Sequence, residues 1–370
     1  VTHGDRKERL NAWFSQCTAL GSDCRLLSLE PLAGGQSSEL FQATVRTRGC
    51  DEQVVIRLEQ RGKQLFLTPD IARESRVIDG VWRAGTVAVP EMLGLEPTGS
   101  VLGVPFLVMR WIEGTPLLGR PSMHLAGPLP ALTPDQRRAA AFGGIEAMAA
   151  IHEIDWRATH PFLAEDAAPG SPLGRHLNRL AEWYAWATHG EPHPVTDKAL
   201  EYLLDARLQL DTSETVLLWG DARPGNILYG ERQDVTAVLD WEGAFAGPRS
   251  LDVSYWLMSD LFHAEAIGVD RLPGWPSEAE TLAHYEAHAG TRVSDIDYFI
   301  VLGALFMGTT LIRATEMGIA SGRLQPGSRM GMDNSLTQII AQRLGLPMPP
   351  LSPDFIAHRS LPANAVGLAR

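Results

Sequence analysis

The second half of this 370-residue chain reads as a succession of helices broken by one short β-rich island, which constrains the fold more than any other stretch. Glu214 to Leu218, Asn226 to Tyr229 and Val235 to Trp241 are brief apolar runs, the last two joined by the polar turn Gly230 to Asp234. Through the island run Trp219-Gly220-Asp221-Ala222-Arg223-Pro224-Gly225-Asn226 and, 14 residues after Asn226, Asp240-Trp241-Glu242. A loop entered from one apolar strand and left through Asn226 into another turns Asp221 and Asn226 to the same side. The hairpin then returns Asp240 beside them, so three oxygen-bearing side chains are expected to converge.

An oxygen-only donor set suits Mg²⁺, a hard cation that keeps part of its water shell and shares the rest with substrate phosphates. The order Asp, Asn, Asp is the one by which kinase-type enzymes assemble a base and two metal ligands. Asp221 is the candidate base, and Asn226 and Asp240 are the candidate metal ligands. Singly, each is a common turn or capping feature; together, in order, they point to phosphoryl transfer. Arg223 either balances charge near the transferring phosphate or pairs with a neighbouring carboxylate.

The first half has a different texture. Leu40 to Arg46, Gln53 to Leu58 and Val104 to Ile112 read as strands, with a helical stretch from Asp70 to Ala84 between the second and third. Gly34-Gly35-Gln36-Ser37 lies between apolar runs, where flexible backbone can offer N–H groups to phosphates. Arg57 occupies the third-strand position that holds a cation in kinase-like lobes, and Glu74, beside Ile71 and Ile78 on the helix, is its candidate partner. Lys63 is a rival cation; the chain has three lysines among 32 basic residues, so an Arg in a lysine role also reflects composition. Met109, Arg110 and Ile112 read as a hinge, with backbone groups of Arg110 and Ile112 facing an adenine edge and Met109 packed behind it, or else as a plain buried strand.

The length favours two domains, divided here at 1–112 and 113–370. After the division, helical patterns dominate: Pro134 to Ile154 with Thr133 as N-cap, Leu173 to Thr188, Thr196 to Leu210, Ser250 to Phe262, Glu278 to Ala289 and Asp295 to Thr315. The formal charge of −12 and the absence of a basic cluster argue against a nucleic-acid partner. Three cysteines without metal-ligand spacing suit a reducing cytoplasm, and the longest apolar run, Tyr298 to Ile312, has the length of a buried helix, so no membrane partner is expected. Oligomeric state is not legible.

These residues resemble the aminoglycoside phosphotransferase and choline kinase superfamily, and more closely its branch associated with acyl-CoA dehydrogenases. The resemblance rests on Gly220-Asp221, Asn226 and Asp240-Trp241-Glu242, on Gly34 to Ser37, on Arg57 with Glu74, on Met109 to Gly114 and on Tyr285-Glu286 with Gly290. It implies an α+β, bilobal protein-kinase-like fold: a small N-terminal nucleotide-binding lobe with antiparallel sheet plus helix, and a larger, mostly helical catalytic lobe. It also implies ATP, with GTP open, Mg²⁺, and a small-molecule hydroxyl acceptor such as an aminoglycoside-like antibiotic or a hydroxyacyl-CoA. Asp252 resembles the buried Asp that braces the catalytic loop in such folds. Trp219 stands where the family usually has His, and Ser38 where it commonly has Asn. The acceptor pocket is expected to draw on Arg175 to Trp186 and the last long helix, although Trp183 and Trp186 also suit helix packing. A catalytically silent nucleotide-binding scaffold is the alternative; a protein kinase fits less well, because the usual activation-segment landmarks after Asp240 are missing.

Overall fold

Alternation along Cys50–Glu59 decides the first sheet: Val54, Ile56 and Leu58 are buried on one face, while Val55 and Arg57 turn to the other. In the computed structural model, which describes residues 3–17, 19–21, 23–32, 38–60, 65–165, 171–207, 210 and 214–369, the chain divides into two compact units, Val1–Glu113 and Gly114–Arg370.

The first unit runs α1 (His3–Phe14), β1 (Arg25–Leu32), β2 (Ser38–Thr47), β3 (Cys50–Glu59), α2 (Ile71–Ala84), β4 (Met92–Glu96) and β5 (Phe106–Arg110). The strands form one antiparallel sheet in the order β1-β2-β3-β5-β4. Leu10 and Phe14 of α1 join Phe41, Val45, Val54, Ile56, Leu58, Phe106 and Val108 in its core. Each such side chain contributes about 1.5–3 kcal/mol on burial. Gly94 lets β4 pass close to α1, since a Cβ there would lie 2.5 Å from the Trp13 ring. Helix α2 starts at Asp70, whose side chain accepts the Arg73 N–H, and stops at Gly85 in the left-handed region.

The second unit holds β6 (Thr115–Pro116), α3 (Pro134–His152), α4 (Trp156–Thr159), α5 (Phe162–Glu165), α6 (Pro172–Thr188), α7 (Pro194–Ala206), β7 (Val216–Leu218), β8 (Ile227–Tyr229), β9 (Val235–Val238), β10 (Phe245–Gly247), α8 (Ser250–His263), α9 (Glu278–Ala289), α10 (Ile296–Ala320), α11 (Ser335–Leu344) and α12 (Pro353–Arg359). Thr133 caps α3 as expected, in a reciprocal box with Gln136. The island becomes two small sheets, β10-β7 and β6-β8-β9.

Helix α10 is long and apolar enough, by length and composition, to cross a membrane, but 72% of its apolar window is buried inside the unit. It packs against α6, α7, α8 and α11 as a core helix. Trp183 and Trp186, considered for an acceptor pocket, are engaged in this packing. Trp183 meets Phe306 at 5.0 Å between ring centroids, and Trp186 lies 3.8 Å beneath the Arg313 guanidinium.

Candidate active site

Strand β7 is wholly buried and delivers the chain to Trp219 and Gly220. Gly220 has φ +89°, and a Cβ there would stand 2.2 Å from the Gly243 carbonyl oxygen, so only glycine allows this turn. The turn is held from α8: the Asp252 carboxylate accepts the N–H groups of Trp219 at 2.7 Å and Gly220 at 2.9 Å. Asp252 is fully buried and also meets His152 Nε2 at 3.1 Å, while His152 Nδ1 lies 2.6 Å from the Tyr285 hydroxyl. Arg249 completes the network by donating to the Tyr285 hydroxyl at 3.2 Å. A fully satisfied buried network of this kind fixes backbone position.

Asp221 follows directly. Arg223 Nε donates to both of its oxygens, at 3.1 and 3.0 Å, and Asn226 Nδ2 donates to its backbone oxygen at 3.1 Å and to Oδ2 at 2.6 Å. The short 3₁₀ turn Pro224–Asn226 makes this possible by folding Asn226 back over the loop. With its nitrogen committed to Asp221, the Asn226 amide has its oxygen, Oδ1, left as a donor atom for a cation. Arg223 thus pairs with a neighbouring carboxylate, one of the two roles considered for it.

Asp240 returns to the same loop through the hairpin. Leu239 N–H donates to the Asn226 carbonyl at 2.8 Å, and the Trp219 indole N–H donates to the Leu239 carbonyl at 2.7 Å. Trp219 thus supports the loop from within its fully buried position. Asp240 adopts φ +65°, an uncommon conformation for a residue with a side chain. The expected strand to Trp241 stops at Val238 for this reason: the chain leaves extended geometry to aim Asp240. Its carboxylate lies 4.0 Å from Arg223 Nη2. Burial pulls the Arg223 pKa down, but the charges of Asp221 and Asp240 and the hydrogen bond to Asp221 outweigh it and hold the group above its ordinary value.

Sequence reasoning passed over two residues here. Tyr255 of α8 is buried; burial first, then the Asp221 charge and a hydrogen bond to Asp221, keep its hydroxyl well above the usual tyrosine pKa. It therefore stays protonated, as a donor must. His152 was masked by Ile151 and Ile154 around it; a polar residue on an otherwise apolar helix face was its only signal.

In the first unit, Arg57 Nη1 and Glu74 Oε1 stand 3.0 Å apart, with side chains only 9% and 5% exposed. Arg57 Nε also donates to the Ser38 hydroxyl at 2.9 Å, which gives Ser38 a definite use. Arg57 and Val55 pair across the ladder with Leu107 and Met109, so all four share one sheet face. The Arg110 N–H is committed to the Glu91 carbonyl at 2.9 Å, and its side chain binds Glu91 and Glu52. Gly34, Gly35, Gln36 and Ser37, with the rival cation Lys63, lie outside the described residues.

A cavity of about 700 Å³ in the second unit is lined by Arg271, Trp275, Glu278, Glu280, Asp297 and Arg343 among others, and contains none of these loop residues. The chemistry of the loop, not this cavity, marks the candidate site.

The profile of the family described as "Phosphotransferase enzyme family" matches residues 28–290. The chain belongs to this family. Two curated relatives of this phosphotransferase are named for acyl-CoA dehydrogenases. It is 30% identical to mouse acyl-CoA dehydrogenase family member 10 over 60% of its own length, and 26% identical to the Arabidopsis thaliana protein IBR3 over 80%. It spans 19% and 37% of the length of these relatives. Among solved structures, a Ralstonia eutropha protein classed as an aminoglycoside phosphotransferase matches with TM-score 0.67 and 25% identity, covering 91% of this chain and 98% of that one. A thermostable variant of an aminoglycoside phosphotransferase, solved with ADP and hygromycin B, matches with TM-score 0.57 and 14% identity over 91% and 98%. The fold is the α+β kinase-like fold of these proteins.

Proposed function

We propose that the chain transfers the γ-phosphoryl group of a nucleoside triphosphate, ATP or alternatively GTP, to a hydroxyl of a small molecule. The observation that carries this reading is the Asp221 carboxylate, fixed by Arg223 and Asn226 on a loop braced by Asp252. In this reading Asp221 accepts the acceptor's hydroxyl proton while the acceptor oxygen bonds to the γ-phosphorus and the bond to the β,γ-bridging oxygen breaks, releasing the nucleoside diphosphate. Tyr255 and Arg223 hold the carboxylate in one orientation, so the base needs no reorganisation when the proton moves.

In this reading Asn226 Oδ1 and the Asp240 carboxylate supply oxygen ligands, the donor type that Mg²⁺ prefers. Bound there, the ion would neutralise charge on the phosphates. The first unit is the nucleotide-holding one in this account: Arg57, fixed by Glu74 and Ser38, supplies the cation for the α- and β-phosphates, Gly34 to Ser37 supply N–H groups, and backbone groups of Arg110 and Ile112 meet the adenine edge with Met109 packed behind it.

Two acceptor classes follow from the relatives. The curated relatives' names point to acyl-CoA chemistry and hence to a hydroxyacyl-CoA thioester, and a structural neighbour holds hygromycin B. Incubation of hydroxyacyl-CoA thioesters and aminoglycosides with Mg·ATP, read by mass spectrometry for an added phosphoryl group, separates them. A phosphorylated product in either class supports the reading. Nucleotide binding without product across both classes favours the silent scaffold.

A further inference from the structure

Helix α9 carries His284 and His288 four residues apart, so both imidazoles leave one face, and α3 packs against α9 with Glu146 opposite them. His284 Nε2 lies 2.9 Å and His288 Nε2 lies 3.6 Å from the same atom, Glu146 Oε1. One ligand atom from each of the three residues lies within 4.8 Å of the other two. Ligands at about 2.0–2.2 Å from a tetrahedral Zn²⁺ stand roughly 3.3–3.6 Å apart. The two His–Glu separations, 2.9 and 3.6 Å, lie close to that spacing, and with all three atoms within 4.8 Å side-chain rotation suffices for the remaining adjustment.

The rings are also oriented in advance. His288 Nδ1 is 2.9 Å from the His284 carbonyl oxygen, and since a carbonyl only accepts, Nδ1 is the donor and Nε2 is the ring nitrogen turned to the Glu146 side. The His284 ring is stacked on Phe142 at 3.8 Å and 8°. The cation beside it on α3, Arg138, is held away by Glu280 at 3.0 Å.

We propose that Glu146, His284 and His288 bind a divalent transition-metal ion of the Zn²⁺ type, joining α3 to α9, with the remaining position left for water. Two imidazoles and one carboxylate exclude Mg²⁺ and Ca²⁺, which prefer oxygen alone, and set this site apart from the Asn226–Asp240 pair. On binding, the hydrogen that His284 Nε2 now directs at Glu146 gives way to the metal–nitrogen bond, and the neutral ring keeps its one hydrogen on Nδ1. The competing account is an ordinary His–carboxylate contact between two helices.

Calorimetric titration of the full chain with zinc chloride at about pH 7.5, in excess Mg²⁺ to fill the oxygen-only pair, tests this. Cys50 is an exposed thiol and a rival zinc ligand, so the titration is run on Cys50→Ser. The expected result is one zinc per chain and a raised thermal midpoint. His288→Ala and Glu146→Gln, both at exposed positions, are each expected to weaken zinc binding at least about tenfold. Zinc binding of equal affinity in both variants, or none in the parent at about 100 μM metal, overturns the proposal.

Discussion

The carboxylate of Asp252 accepts the backbone N–H of Gly220 at 2.9 Å, one residue ahead of Asp221, so a fully buried side chain on α8 sets where the candidate base begins. Asp252→Ala leaves the buried N–H groups of Trp219 and Gly220 without this partner and removes the acceptor facing His152. At about 1–3 kcal/mol for each orphaned group, the expected loss is roughly 3–5 kcal/mol, measured by urea unfolding. A loss below about 1 kcal/mol contradicts the bracing role.

Gly220→Ala is expected to be as damaging although it adds only a methyl group. The new carbon meets the Gly243 carbonyl oxygen at 2.2 Å and must adopt φ +89°. The loop can relieve this only by moving, which displaces Asp221; the expected outcome is a loss of at least about 2 kcal/mol in stability together with phosphotransfer. Wild-type stability with wild-type turnover contradicts it.

Arg57 and Glu74 form a buried pair, so removing one partner takes away the opposite charge that faces the other. Glu74→Gln and Arg57→Met are each expected to cost about 3–5 kcal/mol, and the double variant less than the sum. Arg57→Lys keeps a charge but loses the Nε bond to Ser38, so the KM for ATP is expected to rise even if the variant folds. A steady-state titration of ATP checks this; an unchanged KM removes Arg57 from phosphate contact.

How much of this was legible depended on whether a residue's partner was near in sequence. Asp221 and Asn226 are five apart on one turn, so their meeting followed from spacing. Arg57 and Glu74 were legible because β3 and α2 are both strongly patterned and 17 residues separate them. His152 and Asp252 are 100 residues apart, and no local pattern announces such a contact. The left-handed conformation of Asp240 was hidden because the apolar run toward Trp241 mimics a strand. Strand β1 escaped notice because a register shift between Leu26 and Ser28 breaks its alternation, and α11 and α12 because each is short.

Acid sensitivity is expected from His176, which stacks on Phe245 at 4.2 Å and 4°. Burial, with the Arg179 charge adding to it, lowers its pKa to about 3. The folded protein keeps this imidazole neutral while the unfolded chain takes up a proton below about pH 6.5. Its contribution is therefore complete above that pH and is lost as pH falls toward 3, by up to about 1.4 kcal/mol per pH unit. His176→Gln is expected to flatten the fall in stability between about pH 6.5 and 4, measured by urea unfolding; parallel profiles for the two proteins contradict this.

The central claim, that Asp221 is the base of a phosphotransfer reaction, is tested most directly by the turnover of Asp221→Asn against wild type. The acceptor is the one identified by the mass-spectrometric panel, and nucleotide affinity is measured in parallel. Asparagine keeps the size of the side chain and removes its ability to take a proton. The account predicts a fall in kcat of about 10²–10⁴-fold with ATP binding largely retained. Unchanged turnover in Asp221→Asn contradicts it.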